Sequence, residues 1–177
     1  MEDLLMTTPG SSPSSARPLP RMRSWLFAPG DSERKMAKAA NGPADIVLLD
    51  LEDSVSPENK PAARALVRDF LTARDDRSRL WVRVNPLSGG ETLADLEAVI
   101  PAAPGGIMLP KAEGKADVEA LDAHLSRLES ANGIAPSATR VAALVTETPR
   151  AMFRTGDYEG APRLAAMSWG AEDLSSA

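Results

Sequence analysis

The 177-residue sequence contains no cysteine, which excludes disulfide bonds, zinc–thiolate sites and thiol catalysis and favours a reducing compartment. Its single histidine, His124, falls in the middle of a predicted helix, and no serine stands in a nucleophile-elbow pattern. No apolar run reaches the roughly 18 residues that span a bilayer, and the N-terminus lacks a basic-then-apolar secretory pattern. We therefore expect a cytoplasmic protein that does not enter the membrane.

The composition is that of a globular protein, with 43% hydrophobic and 25% charged residues. A net charge of −5 gives no general attraction to nucleic acid or anionic lipid, so we expect a small-molecule partner and no nucleic acid. Residues 1–20 are dense in Ser, Pro, Thr and Gly and offer little to bury. They predict a disordered tail, followed by one domain over 21–177.

From Arg21 onward, short apolar runs rich in β-branched residues alternate with segments of helical period, which is typical of βα units and a parallel sheet. The predicted strands are 24–28, 45–51, 79–84, 106–110, 140–146 and 163–169. The predicted helices are about 32–40, 57–74, 90–100, 114–130 and 148–154.

Two architectures fit this alternation. A doubly wound sheet would need a glycine fingerprint after its first strand, where the loop "APGDSER" has a single glycine. A (β/α)8 barrel keeps its active site at the carboxyl ends of the strands, and charged residues follow five successive strands here. The predicted fold class is therefore α/β, a TIM-type barrel with about six of its eight βα units.

Glu147 and Asp173 lie 26 residues apart, which is one βα unit, at the ends of two predicted neighbouring strands. Adjacent strands are about 5 Å apart, so both carboxylates are expected at one rim of the sheet. Two carboxylates plus waters commonly hold Mg²⁺. The alternative is that both are solvated loop acids.

Arg83 lies inside the otherwise apolar strand "WVRVNP", and a buried arginine usually has an anionic partner. Its guanidinium fork could grip a substrate carboxylate, or it could pair internally with Glu52 or Asp53 after the neighbouring strand. Some acids of "LLDLEDSV" could instead orient Arg83 or a metal-bound water, and Lys111, at the end of the fourth strand, is a further candidate of this kind.

The loop around Gly30 precedes a helix whose first turns carry Arg34 and two lysines, which could meet phosphates. The alternative is an ordinary helix start with Asp31 as N-cap and a solvated basic face.

Six blocks, in order, resemble one known family: "RSWLFAPGDSERKMAKA", "ADIVLLDLEDSVSPENKPAAR", "WVRVNPL", "GIMLPKAEG", "ALVTETPRAM" and "MSWGAEDLS". The chain is similar, from about Arg21 to its last residue, to the citrate lyase beta-subunit-like CoA ester lyases of the HpcH/HpaI aldolase group. Members are Mg²⁺-dependent (β/α)8 barrels that make or break a carbon–carbon bond between an acyl-CoA and an oxo-acid.

The resemblance implies that Glu147 and Asp173 ligate Mg²⁺, that Arg83 and Glu147 contact substrate and carry catalysis, and that Gly30 and Arg34 lie near CoA. The implied reaction is a retro-aldol cleavage of a thioester such as citryl-CoA or malyl-CoA, in which the acetyl-CoA enolate departs while the metal and Arg83 hold the acid portion.

Family members continue for roughly another hundred residues and assemble, typically as trimers or hexamers. We therefore expect this sequence to be a C-terminally truncated fragment. Two alternatives stay open at this stage: a non-catalytic remnant or interaction subunit, and a metal-dependent aldolase of pyruvate type that does not use CoA.

Overall fold

The computed structural model describes residues 21–176, in which six β-strands alternate with helices. The predicted tail, 1–20, lies outside the described residues. The strands are β1 (Trp25–Pro29), β2 (Ile46–Asp50), β3 (Leu80–Arg83), β4 (Gly106–Leu109), β5 (Arg140–Leu144) and β6 (Leu164–Ser168). The α-helices are α1 (Glu33–Ala40), α2 (Lys60–Thr72), α3 (Thr92–Val99), α4 (Lys115–Ala131), α5 (Pro149–Met152) and α6 (Ala171–Ser176). Short 3-10 helices cover Pro57–Asn59, Leu87–Gly89 and Ile100–Ala102.

The six strands form one parallel sheet in sequence order, from β1 to β6. A doubly wound sheet reverses its strand order at a switch point, and this sheet does not. Consecutive parallel strands joined by helices are the arrangement of a (β/α)8 barrel. The predicted α/β class, with six βα units of barrel type, is confirmed.

Each strand divides its residues between two apolar layers, because successive side chains point to opposite faces. Val47 and Leu49 belong to the layer between sheet and helices, whereas Ile46 and Leu48 belong to the inner face. The rest of the inner layer comprises buried Trp81, Met108, Ala142 and Leu144. Asp50 and Arg83 continue the inner alternation of β2 and β3, and the sheet register pairs them directly.

Two tryptophans close the inner layer near the amino ends of the strands. The rings of Trp25 and Trp81 meet edge to face, with centroids 5.2 Å apart. Gly106 lies opposite Trp81 in the sheet, and a Cβ there would lie 2.6 Å from the indole ring, so only glycine fits. The position of Trp81 therefore depends on this one neighbour.

The helix predicted over 57–74 is in fact two elements, the 3-10 helix Pro57–Asn59 and α2. The reason is Pro61, at the start of α2. It has no N–H to donate to the carbonyl of Pro57, and its ring would crowd that carbonyl in a continuous α-helix. The first turn closes instead through the 3-10 bond from the N–H of Lys60 to Pro57.

Within residues 21–176, no helix is both long and apolar enough to cross a membrane.

Candidate active site

A cleft of about 780 Å³ opens at the carboxyl ends of the strands. This is the rim where the sequence predicted the chemistry. Its walls come from the middle of β1, from the carboxyl ends of β2, β3 and β5 with the residues that follow β2 and β5, and from the end of β6 through the first turn of α6. The lining residues are Phe27, Asp50, Asp53, Ser54, Arg83, Leu144, Glu147 and 168–173.

Arg83 is held by three carboxylates. Asp50 accepts two parallel hydrogen bonds, from Nε and Nη2, each 2.7 Å long, and both side chains are largely buried. Nη1 lies 2.8 Å from Glu52 and 3.3 Å from Asp53. An internal ion pair with Glu52 or Asp53 was one of the two alternatives that the sequence left open for Arg83, and both contacts are present. The principal partner is Asp50, which the sequence left among several candidates.

Burial and neighbouring charges shift the pKa values of Asp50, Glu52 and Arg83. Burial alone would raise the pKa of Asp50, but the hydrogen bonds and charge of Arg83 outweigh it and lower that pKa. Burial raises the pKa of Glu52, and Lys111 and Arg83 only partly offset the effect. The pKa of Arg83 is raised because Asp50, Glu52 and Asp53 together outweigh its burial, so the guanidinium stays charged.

The Arg83 guanidinium is also fixed from one face. Its central carbon lies 4.8 Å from the ring centroid of Phe27, which is half exposed in the middle of β1. A cation over an aromatic ring is a favourable arrangement. The ring covers the flat face of the guanidinium and leaves its edges to the carboxylates.

Glu147 follows β5 and is 5% exposed, so its carboxyl group is taken out of water. Burial raises its pKa to about 7, with further contributions from a hydrogen bond with Asp173 and from the negative charges of Glu52 and Asp173. The backbone N–H of Lys111 donates to Glu147 Oε2 and opposes this rise. A buried carboxyl group with a pKa near 7 in a cleft is a candidate functional group.

Lys111 links Glu147 to the carboxylates around Arg83. Its backbone is left-handed, with φ of 53°, which is uncommon outside glycine and aims the N–H at Glu147. Its ammonium group lies 2.9 Å from Glu52 and 3.6 Å from Asp173. The side chain thus contacts one carboxylate from the segment after β2 and one from the first turn of α6.

Gly170 allows Glu147 to reach this position. A Cβ on Gly170 would lie 2.3 Å from Cγ of Glu147 and 3.1 Å from its Cδ. The N–H of Gly170 donates to the hydroxyl of Thr146, which ties the end of β6 to β5. The sequence reasoning missed this contact, although a glycine two residues before the acidic pair Glu172–Asp173 is a visible signal.

Asp173 lies in the first turn of α6, a six-residue helix that the sequence did not predict. Its contact with Glu147 brings together the two carboxylates predicted for a metal. Within residues 21–176, no group of three or more His, Cys, Asp or Glu side chains converges on a possible metal position. Two carboxylates suit Mg²⁺, which retains several waters, and a role of Glu147 and Asp173 as its ligands stays a prediction.

A second polar network supports the segments that surround Arg83. The sequence analysis did not predict it. The ammonium of Lys60 donates to the carbonyls of Leu51 and Glu52 and to the side chain of Asn85. Fully buried Asp95 accepts from both nitrogens of Asn85. These bonds fix the backbone after β2, which carries Glu52 and Asp53, and the backbone that follows Arg83 at the end of β3.

The structure does not bring Gly30 and Arg34 to the cleft walls. Gly30 is buried, its N–H donates to the carbonyl of Asp50, and a Cβ there would meet that oxygen at 2.7 Å. Close packing of β1 against β2 therefore requires this glycine. Arg34 is exposed on α1, and a role of either residue at CoA stays a prediction.

Comparison with known proteins identifies the family. Residues 23–177 match the model of the HpcH/HpaI aldolase/citrate lyase family. A citrate lyase subunit beta-like protein of Mycobacterium tuberculosis is 38% identical over 150 residues, covering 85% of this chain and 48% of the relative. A (3S)-malyl-CoA thioesterase of Cereibacter sphaeroides is 36% identical over 153 residues, covering 86% of this chain and 50% of the relative.

A solved structure agrees with these matches. The citrate lyase beta subunit of M. tuberculosis, complexed with oxaloacetate and magnesium, superimposes with a TM-score of 0.69 at 40% identity. The match covers 86% of this chain and 59% of that one. The chain belongs to the HpcH/HpaI aldolase/citrate lyase family, as its resemblance predicted, and it spans about half the length of the curated relatives it matches.

Proposed function

We propose that this protein acts in the Mg²⁺-dependent cleavage or formation of a carbon–carbon bond in a 3-hydroxyacyl-CoA thioester. Citryl-CoA and malyl-CoA are examples, and the products would be acetyl-CoA or another acyl-CoA and an oxo-acid. The observation that carries the proposal is the contact between Glu147 and Asp173 in the cleft that also holds Arg83. The oxaloacetate and magnesium bound by the M. tuberculosis relative support it.

In this proposal, Glu147 and Asp173 hold the metal ion. Their carboxylate oxygens are the ligands that Mg²⁺ prefers. Burial and the charges of Glu52 and Asp173 raise the pKa of Glu147, an effect that a bound cation would oppose. Bound Mg²⁺ supplies Lewis acidity toward the oxygen atoms of the substrate.

Arg83 binds and orients the carboxylate of the oxo-acid portion, because its guanidinium is permanently charged and fixed in position. Lys111 holds Glu147 through its N–H and approaches Asp173 through its ammonium group. Asp50 fixes the guanidinium of Arg83, Glu52 and Asp53 contact it at Nη1, and Glu52 also anchors Lys111.

Calorimetric titration of Mg²⁺ into the full chain, with oxaloacetate present, tests the metal site. We expect saturable binding that Asp173→Ala weakens by at least about tenfold, the scale of losing support at a metal site. Glu172→Ala is the matched control, since Glu172 is an exposed acid that lines the same cleft. Equal affinity in the wild type and Asp173→Ala would contradict the assignment.

Release of acetyl-CoA from citryl-CoA or malyl-CoA tests the reaction. Mg²⁺-dependent release that Glu147→Gln abolishes supports the lyase. Cleavage of a free hydroxy-oxo acid without CoA would favour the aldolase alternative. Metal binding without turnover of any of these substrates would favour a non-catalytic protein.

A further inference from the structure

The edges of the Arg83 guanidinium are unequally occupied. Five N–H bonds project from its three nitrogens. The side edge, formed by Nε and Nη2, is filled by the two short bonds to Asp50. The end edge, formed by Nη1 and Nη2, is where a second carboxylate could bind with two parallel bonds. Within residues 21–176, the Nη2 hydrogen on this edge has no acceptor, while Nη1 faces Glu52 and Asp53.

The two carboxylates at Nη1 differ in how firmly they are held. The side chain of Glu52 is 4% exposed, lies 2.8 Å from Nη1 and is also bound by Lys111. The side chain of Asp53 is 56% exposed and its bond to Nη1 is 3.3 Å long. Charge-assisted N–H···O bonds normally measure about 2.7–2.9 Å. The contact of Asp53 is therefore the most solvated of the carboxylate contacts that Arg83 makes, and it is longer than a typical charge-assisted bond.

We propose that Asp53 is a placeholder ligand, whose carboxylate occupies the end edge of Arg83 until a substrate carboxylate replaces it. This inference rests on the proposed function, in which Arg83 binds the oxo-acid. Because Asp50 keeps the side edge, the exchange leaves the guanidinium fixed and paired. Asp53 can swing into solvent at little cost because its side chain is already half exposed.

The exchange has a consequence for affinity. An incoming carboxylate competes with Asp53 for Nη1 and also meets an excess of acidic groups, because six carboxyl groups lie in and beside the cleft against two cations. These groups are Asp50, Glu52, Asp53, Glu147, Glu172 and Asp173 against Arg83 and Lys111. Asp53 therefore lowers the affinity for the oxo-acid, and its removal should raise that affinity.

Two calorimetric titrations test the placeholder, one with Mg²⁺ alone and one with oxaloacetate at saturating Mg²⁺. An exposed ion pair contributes modestly, so Asp53→Asn should tighten oxaloacetate binding about two- to fivefold while Mg²⁺ affinity stays within about twofold. Asp53→Ala should do the same or more, since alanine offers Arg83 no oxygen. Circular dichroism on each sample confirms that the variants are folded.

The Glu172→Gln variant tests whether Asp53 competes with oxaloacetate for Arg83 or only adds negative charge to the cleft. It deletes one negative charge from the same cleft, so its effect on oxaloacetate should be less than half that of Asp53→Asn. Unchanged or weaker oxaloacetate binding in both Asp53 variants would overturn the placeholder, as would a loss of Mg²⁺ affinity, which would place Asp53 at the metal. A wild-type chain that binds neither Mg²⁺ nor oxaloacetate would overturn the proposed function together with it.

Discussion

Replacing Gly170 with alanine should disable the proposed metal site while leaving the fold in place. The new Cβ would lie 2.3 Å from Cγ of Glu147, whereas ordinary contacts begin at 3.4 Å, so the two atoms must separate by 1.1 Å. The nearest atom is in the middle of the glutamate side chain, so the carboxylate must move with it. Mg²⁺ demands near-ideal octahedral geometry at about 2.0–2.1 Å, and displacement of a ligand by about 1 Å is therefore not tolerated.

We expect Gly170→Ala to weaken Mg²⁺ binding by about 10- to 100-fold, the range seen when the support of a metal ligand is removed. Overpacking should cost about 1–3 kcal/mol of stability, measured by urea denaturation. Gly156→Ala is the matched control, because a Cβ there meets nothing within 4 Å and its φ is not positive. Wild-type Mg²⁺ affinity in a folded Gly170→Ala chain would refute the reasoning.

Two further predictions concern stability. The folded chain raises the pKa of Glu147 from 4.5 to about 7, so it binds more protons than the unfolded chain between those values. The free energy of unfolding without metal should therefore fall as pH rises from about 4.5 to about 7, and urea denaturation should show a flatter profile for Glu147→Gln. Arg163→Met should cost about 3–5 kcal/mol, because it leaves the carboxylate of Glu129, 1% exposed, without its ion-pair partner. Arg127→Met, which removes an exposed pair, should cost less than about 1 kcal/mol in the same assay, and equal costs would contradict the burial argument.

The strands and the rim of charges could be predicted because both rest on short-range patterns. Parallel strands buried on both faces appear as continuous apolar runs, and each observed strand ends within two residues of its predicted limit. Period-two alternation also places Asp50 and Arg83 on the inner face. The pairing of Asp50 with Arg83, in contrast, could be known only from the register of β2 against β3 in the structure.

The support of the site could not be predicted, because it depends on contacts between distant segments. The left-handed backbone of Lys111 and the donation of its N–H to Glu147 link two βα units. The approach of Gly170 to Glu147 exists only once β6 has paired with β5. Helix α6 is too short for a periodic pattern, so the position of Asp173 on a first helical turn had no clear sequence signal.

The placement of the tryptophans gives the chain two separate optical reporters. Trp25 and Trp81 contact each other, and Trp81 is fully buried in the inner layer, so their emission should follow the loss of the fold. Trp169, 60% exposed, lines the cleft beside Gly170, and its emission should respond to occupancy of the cleft. Unfolding and ligand binding can thus be followed by intrinsic fluorescence in the unlabelled protein, with a Trp169→Phe variant to assign the two signals.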